Sequence, residues 1–124
     1  MTWWNALFSL AALVNLGVGG AMAATPREVA AQLGVLGPGA PYAVTMVGMM
    51  IAVFGVGYAI VARDPARNRA IVWLGVVGKL GAAGLAAAQY AQTLIPQSTF
   101  VLGIGDLVFA LLFALFLWRG PRAL

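Results

Sequence analysis

The 124-residue sequence is strongly apolar: 63% of its residues are hydrophobic, only 8% are charged, and its mean hydropathy is +0.97. Soluble domains carry about a quarter charged residues, and a chain this short cannot bury so much apolar surface in a water-soluble fold. Seven basic residues against three acidic ones are also too sparse for nucleic-acid binding. We therefore expect a polytopic membrane protein whose surroundings are membrane lipid.

Four apolar stretches follow one another along the chain. They cover residues 5–24, 42–62, 70–90 and 100–118. Each is about 20 residues long, which is the length that a helix needs to cross a hydrocarbon core of about 30 Å. Backbone groups in lipid must form their hydrogen bonds internally, so the stretches are predicted to be helices.

The first stretch ends in a segment with two interpretations. Residues 21–23 (Ala-Met-Ala) resemble a signal-peptidase site. No Lys or Arg precedes them and the stretch is long enough to span, so we expect a retained membrane helix. Residues 25–28 (Thr-Pro-Arg-Glu) then have the pattern of a capping box with proline in the first turn. This pattern predicts a short interfacial helix that ends at Gly34.

The remaining connections are short and carry helix boundary signals. Asp64 followed by Pro65 is typical of an N-cap, so the third spanning helix is predicted to begin at Pro65, before its apolar part. Gly120 and Pro121 end the fourth. Short connections make successive helices antiparallel neighbours. We predict an all-α fold with one domain over residues 1–124, a four-helix transmembrane bundle with a short interfacial helix between the first two spans. The spanning helices are predicted at about 5–24, 42–62, 65–91 and 99–119.

The basic residues predict the orientation of the bundle. One end carries Arg63, Arg67, Arg69, Arg119 and Arg122, whereas the other has only Arg27, beside Glu28. Short loops rich in Lys and Arg stay in the cytoplasm, so both termini are expected to be cytoplasmic. The abundance of alanine and glycine is typical of a GC-rich bacterium. We expect the chain to reside in the bacterial inner membrane.

Glycines recur every three residues in the third span, at Gly75, Gly78, Gly81 and Gly84. Each step of three turns the helix by about −60°, so the glycines cover roughly half of its circumference. Small residues let membrane helices approach closely. We favour a helix packed on several sides within one bundle, and the alternative is a seam between copies of the chain. The glycines at positions 17, 19 and 20 indicate similar tight packing of the first span.

Two ionisable residues lie inside the spans, Lys79 near the midplane and Asp106 about 10 Å below the outer edge. A charge at a helix centre costs about 2.5–3.5 kcal/mol, so both should face the bundle interior. They lie about 7 Å apart along the bundle axis, although the lean of helical side chains carries Lys79 away from Asp106. Asn15 lies almost level with Lys79.

Three interpretations of these polar residues stay open. Lys79, Asp106 and Asn15 form a buried cluster that fixes helix register. Alternatively, the same residues belong to a ligand or proton pathway, which is what ions inside a membrane commonly mark. In the third interpretation Lys79 extends toward the cytoplasm without a partner. Tyr58 is expected to be an interface anchor near the cytoplasmic side.

The order of features resembles the DoxX-like group of small four-helix bacterial membrane proteins. The resemblance covers the glycine-rich end of the first span, the segment over residues 25–34, Gly48 and residues 54–57 (Phe-Gly-Val-Gly), followed by a short basic link and a glycine-rich third helix. That group includes a subunit of a thiosulfate:quinone oxidoreductase. The resemblance implies the fold and an accessory or quinone-adjacent role, and provides no catalytic motif.

The chain has no cysteine and no histidine, which excludes disulfides, thiolate nucleophiles and the usual zinc and haem ligands. We expect a membrane protein without its own catalytic centre, cofactor or metal, acting as an accessory subunit of a larger membrane complex or as a homo-oligomer. One alternative is a small-molecule or ion transporter or channel that uses Lys79 and Asp106. Another is a binder of an apolar ligand, such as a quinone, lipid or pigment, between the helices.

Overall fold

The computed structural model describes residues 2–124, which fold into five α-helices. They are α1 (Trp3–Ala24), α2 (Pro26–Leu33), α3 (Ala40–Arg63), α4 (Arg69–Ala91) and α5 (Gln97–Arg119). All except α2 are long and apolar enough to cross a membrane, at about 33–36 Å each. The chain is therefore a multi-pass membrane protein. The predicted all-α bundle of four spans with a short helix between the first two is confirmed.

The start of α4 differs from the prediction. The helix begins at Arg69 rather than Pro65, and residues 65–67 form a turn. Asp64 does act as a cap, because its Oδ1 accepts a hydrogen bond from the Arg67 backbone N–H at 3.2 Å. The Asn68 side chain then donates back to the Asp64 carbonyl at 2.8 Å and closes the turn. The Asp-Pro signal therefore marks a capped turn that ends before the helix starts.

The predicted capping box at Thr25 is also wrong, although α2 does begin at Pro26. The Thr25 side chain accepts no hydrogen bond from α2, and its hydroxyl donates to the Ala21 carbonyl at 2.9 Å. Because α2 follows α1 directly, this threonine caps the end of α1 instead, where the Ala21 carbonyl also accepts the Thr25 backbone N–H at 2.9 Å. A capping box is present at the start of α1, where Thr2 and Asn5 exchange hydrogen bonds.

The spans pack as two close pairs, which we call the first pair (α1 and α3) and the second pair (α4 and α5). In the first pair the backbones touch where Gly19 meets Gly48. A Cβ built on Gly48 would lie 2.9 Å from the Gly19 carbonyl oxygen and 2.6 Å from the Met22 Cβ. In the second pair, a Cβ on Gly103 would lie 2.7 Å from the Ala86 Cβ. Glycine is therefore what allows both close approaches.

The glycines of α4 do not pack the helix on several sides, contrary to the interpretation favoured above. Gly75 is buried against the Tyr58 ring, but Gly81 and Gly84 have no neighbouring atom within 4 Å of a built Cβ. Gly78 lies 4.0 Å from Phe54 by the same measure. Successive positions in a three-residue repeat rotate around the helix, so only Gly75 packs closely against another helix, and Gly78 faces the first pair across a gap. In α1 likewise, Gly19 is tightly packed, whereas Gly17 and Gly20 contact nothing.

Aromatic side chains hold the two pairs apart at the end that carries most of the arginines. We call Phe8, Tyr58, Phe113 and Phe116 the aromatic cluster; all four are at most 1% exposed. The Phe8–Phe113 and Tyr58–Phe113 ring centroids are each 5.0 Å apart. Tyr58 is therefore a core residue, and its prediction as an interface anchor is wrong, because it lies on the face of α3 that also carries Phe54 and Val61.

The opposite end is covered by α2. Met22, Ala30, Ala40 and Val44 form a second, smaller core that fixes α2 against the first pair. The Thr99 hydroxyl at the start of α5 donates to the Leu33 carbonyl at 3.4 Å. The short helix thus connects the two pairs at this end.

Arg69 ties the start of α4 to the end of α5. Its guanidinium donates to the carbonyls of Pro121, at 2.9 Å, and Leu117. The same group lies 5.0 Å from the Phe116 ring centroid. Arginine thereby satisfies backbone carbonyls that the end of a helix leaves unpaired.

We expect Arg69→Ala to loosen the end of α5. Losing these bonds should favour local opening by about 1.4 kcal/mol, which corresponds to about tenfold faster amide exchange near the C-terminus. Hydrogen–deuterium exchange of residues 116–124 in nanodiscs measures this effect. Arg122→Ala removes an arginine from the same end without touching these carbonyls and serves as the control. Equal exchange in the two variants would contradict the prediction.

Candidate functional site

The polar residues within the spans meet at one place in the bundle. The Lys79 Nζ lies 3.0 Å from the Asp106 Oδ1 and 3.4 Å from the Asn15 Oδ1. The Asn15 amide donates in turn to the Ile51 carbonyl at 3.1 Å. Because these groups come from α4, α5, α1 and α3, one continuous network joins all four spans.

Lys79 is the centre of this network and is well shielded. Its side chain is 9% exposed, compared with 33% for Asp106. The Nζ also lies 5.1 Å from the Phe109 ring centroid and 5.7 Å from that of Tyr58, within the range of cation–π attraction. The interpretation in which Lys79 has no partner is therefore wrong. Helical side chains point toward the N-terminus of their helix, which is away from Asp106, but the four-carbon side chain of Lys79 is long enough to reach Asp106.

A cavity of about 620 Å³ lies between the two helix pairs, with this network in its wall. The aromatic cluster spaces the pairs at one end, whereas farther along α4 the residues that line the gap, apart from Lys79, are the small Gly78, Ala82 and Ala86. Large side chains followed by small ones leave the pairs separated but the space between them unfilled. The run of small residues on α4 therefore creates a void.

The cavity is long and open at its sides. Along α5 it extends from Thr99 to Phe109, which is about 15 Å at the helical rise. Val14 and Val18 on α1 flank it on one side, and Met50 on α3 flanks it on the other; all three are exposed. Since this part of the chain lies within the spans, these exposed side chains at the edges of the cavity face membrane lipid.

Three polar groups in the cavity wall retain hydrogen-bonding capacity. An ammonium has three N–H donors, of which Lys79 directs two to Asp106 and Asn15. Asp106 is bonded through Oδ1, which leaves Oδ2 as an acceptor. Within residues 2–124 the Tyr58 hydroxyl forms no hydrogen bond; since no fully buried side-chain oxygen there lacks a partner, this hydroxyl reaches the cavity that Tyr58 lines. These groups can bind the polar end of a guest molecule.

The cavity is closed toward the end of the bundle that carries most of the arginines. Between the polar network and this end, the fully buried residues are aromatic or aliphatic. They include Phe8, Phe113, Phe116, Val61 and Val72. Through the described residues, no row of polar side chains continues from Lys79 to that end. The geometry thus resembles a blind lateral recess more than a pore.

Comparison of the chain with protein-family models, with curated proteins and with solved structures found no match. The resemblance to the DoxX-like group therefore stays a prediction. The function has to be argued from the cavity and its polar wall.

Proposed function

We propose that this protein binds an elongated apolar molecule, such as a quinone, a lipid or a pigment, in the cavity between its helix pairs. The observation that carries this proposal is the combination of an apolar space of about 620 Å³ with a buried Lys79–Asp106 pair in its wall. Ligand sites typically have volumes of 300–1,000 Å³ and a few polar groups in an apolar lining. Ionisable residues at membrane depth commonly mark such sites.

Ion conduction is less well supported by the geometry. A channel or transporter that uses Lys79 and Asp106 needs a polar route to both membrane faces, and the aromatic cluster fills the route on one side. A role as accessory subunit or homo-oligomer is compatible with ligand binding and stays a prediction. The outward-facing Gly81 and Gly84 leave room for a second helix, but the contacts within one chain do not show what covers them.

We further propose that the protein resides in the bacterial inner membrane with both termini in the cytoplasm. Arg63, Arg67 and Arg69 lie beside the end of α3 and the start of α4, and Arg119 and Arg122 lie at the end of α5. These positions share one end of the bundle, which supports its assignment to the cytoplasm by the positive-inside rule. In this orientation the cavity lies in the outer half of the bilayer, below α2.

Filling the cavity is expected to weaken ligand binding strongly without unfolding the protein. In Ala82→Phe a ring enters the cavity from α4, so retention of the bound molecule should fall at least about tenfold, equivalent to ~1.4 kcal/mol of binding free energy. Mass spectrometry of organic extracts from protein purified in mild detergent measures the retained molecule.

Ala87→Phe is the matched control for this experiment. Ala87 is an exposed alanine on the same helix that does not line the cavity. Thermal melting of both variants verifies that each is folded. Equal retention by two folded variants would overturn the proposed function.

A further inference from the structure

The cavity wall already contains one positive and one negative group in direct contact. Lys79 and Asp106 are paired at 3.0 Å, and both line the cavity. The other charged residues lie on the links, within the first and last turns of the helices, or after the end of α5. The wall is therefore electrically balanced without any ligand.

A balanced pair in an apolar environment disfavours a third charge. Lipid and apolar side chains screen charges poorly, so an anionic head beside Lys79 would also meet the Asp106 carboxylate at short range. A cationic head would meet the Lys79 ammonium in the same way. Either charge would be buried without a counter-ion of its own, which is the expensive arrangement in a membrane.

The groups that remain free include two hydrogen-bond donors. One is the third N–H of Lys79. The other is the Tyr58 hydroxyl, which lies against Gly75, one helical turn before Lys79 on the same face of α4. Both donors line one end of the cavity, beside the aromatic cluster. A neutral oxygen atom can accept from these donors without adding charge.

We propose that the bound molecule is a neutral amphiphile whose polar end is a hydrogen-bond acceptor of the carbonyl type, held by Lys79 and Tyr58. This inference rests on the proposed function and specifies the ligand class for the same cavity. Fatty-acid anions and cationic amphiphiles are excluded as the preferred ligands, and a bare hydrocarbon chain is bound more weakly than the neutral amphiphile.

The test uses the full chain in nanodiscs and four probes with the same alkyl chain. Dodecyl methyl sulfone is neutral and presents acceptor oxygens, dodecyl sulfonate is an anion of similar head size, dodecyltrimethylammonium is a cation, and dodecane has no head. Native mass spectrometry gives the bound fraction of each. We expect the sulfone to bind at least about tenfold more tightly than either charged probe. Preferred binding of sulfonate or ammonium would overturn the inference, and so would equal binding of all four.

Substitutions of the pair should change this preference in a defined direction. Asp106→Asn leaves the Lys79 ammonium without its counter-ion, so dodecyl sulfonate should become the preferred probe. Lys79→Met leaves the carboxylate, so dodecyltrimethylammonium should gain at the expense of sulfonate. An unchanged order of affinities in both folded variants would contradict the charge argument.

Tyr58→Phe tests the second donor while keeping the ring that packs against Phe113. The variant should bind the sulfone several-fold more weakly and dodecane unchanged, because only the hydroxyl is lost. A purely structural role of Tyr58 would weaken both equally and would contradict its assignment as a ligand donor. The proposed function itself fails if the unsubstituted protein binds none of the four probes and the Ala82→Phe variant still retains the extracted molecule. Binding of the probes with a different order of preference contradicts only the charge inference.

Discussion

Lys79→Met is expected to destabilise the folded protein by about 3 kcal/mol. The substitution leaves the Asp106 carboxylate in the membrane interior without its partner at 3.0 Å and removes the donor to Asn15. Breaking a buried ion pair from one side typically costs about 3–5 kcal/mol. We expect the lower end of that range because Asp106 is 33% exposed toward the cavity and keeps some freedom to find another donor. Unfolding in mixed micelles with increasing denaturing detergent measures the change.

The double variant Lys79→Met/Asp106→Leu separates the pair interaction from loss of packing. With both charges removed, no charge is left unpaired, and replacement of a buried ion pair by apolar residues is often neutral. We therefore expect the double variant to recover most of the lost stability. Arg122→Met, which removes a positive charge from the end of the chain, is the control for net charge. A double variant less stable than Lys79→Met would show that the pair contributes to folding beyond charge cancellation.

The sequence predicts the spans well because lipid imposes a simple rule on them. About 20 apolar residues in a row make a helix regardless of what surrounds it, so α1, α3, α4 and α5 are within a few residues of their expected bounds. The inward direction of Lys79 and Asp106 follows from the same rule, since charges avoid lipid. Their contact does not follow from it, because a few ångströms of helix register decide whether two side chains meet.

The glycines show where sequence reasoning fails. The three-residue repeat in α4 is conspicuous, yet the closest backbone approach involves Gly19 and Gly48 in the other pair. A small residue permits a close approach without requiring one. The first pair is held away from α4 by large aromatic rings on α1, α3 and α5, so the small side chains of α4 that face this pair line a space. The sequence therefore could not distinguish a packed seam from a cavity, which depends on residues far away along the chain.

Tyr58 is a second residue whose environment could not be predicted from the sequence. Its position near the end of a span fits an interface residue, and only the rotation of α3 places it inside. The sequence does contain a pattern that groups Tyr58 with other apolar residues on one face of α3. Phe54 precedes Tyr58 by four residues, Val61 follows it by three, and Gly55 lies on an adjoining face. That signal identifies one face of α3 without showing whether the face meets protein or lipid. The cavity and its hydroxyl donor thus depend on the assembled bundle.

Gly19→Ala is expected to destabilise the protein by about 3 kcal/mol, whereas Gly20→Ala, one position along, should have almost no effect. A methyl group at position 19 would lie 2.7 Å from the Ala52 backbone nitrogen and 2.9 Å from its Cβ. Backbone atoms cannot rotate away, so α1 and α3 must separate, and overpacking of this kind costs about 1–3 kcal/mol. Separation of these helices would also lengthen the Asn15–Ile51 hydrogen bond of 3.1 Å and loosen the polar network. A methyl group at position 20 meets nothing within 4 Å. The same unfolding assay compares the two variants, and equal stability would show that α1 and α3 are not in backbone contact at Gly19.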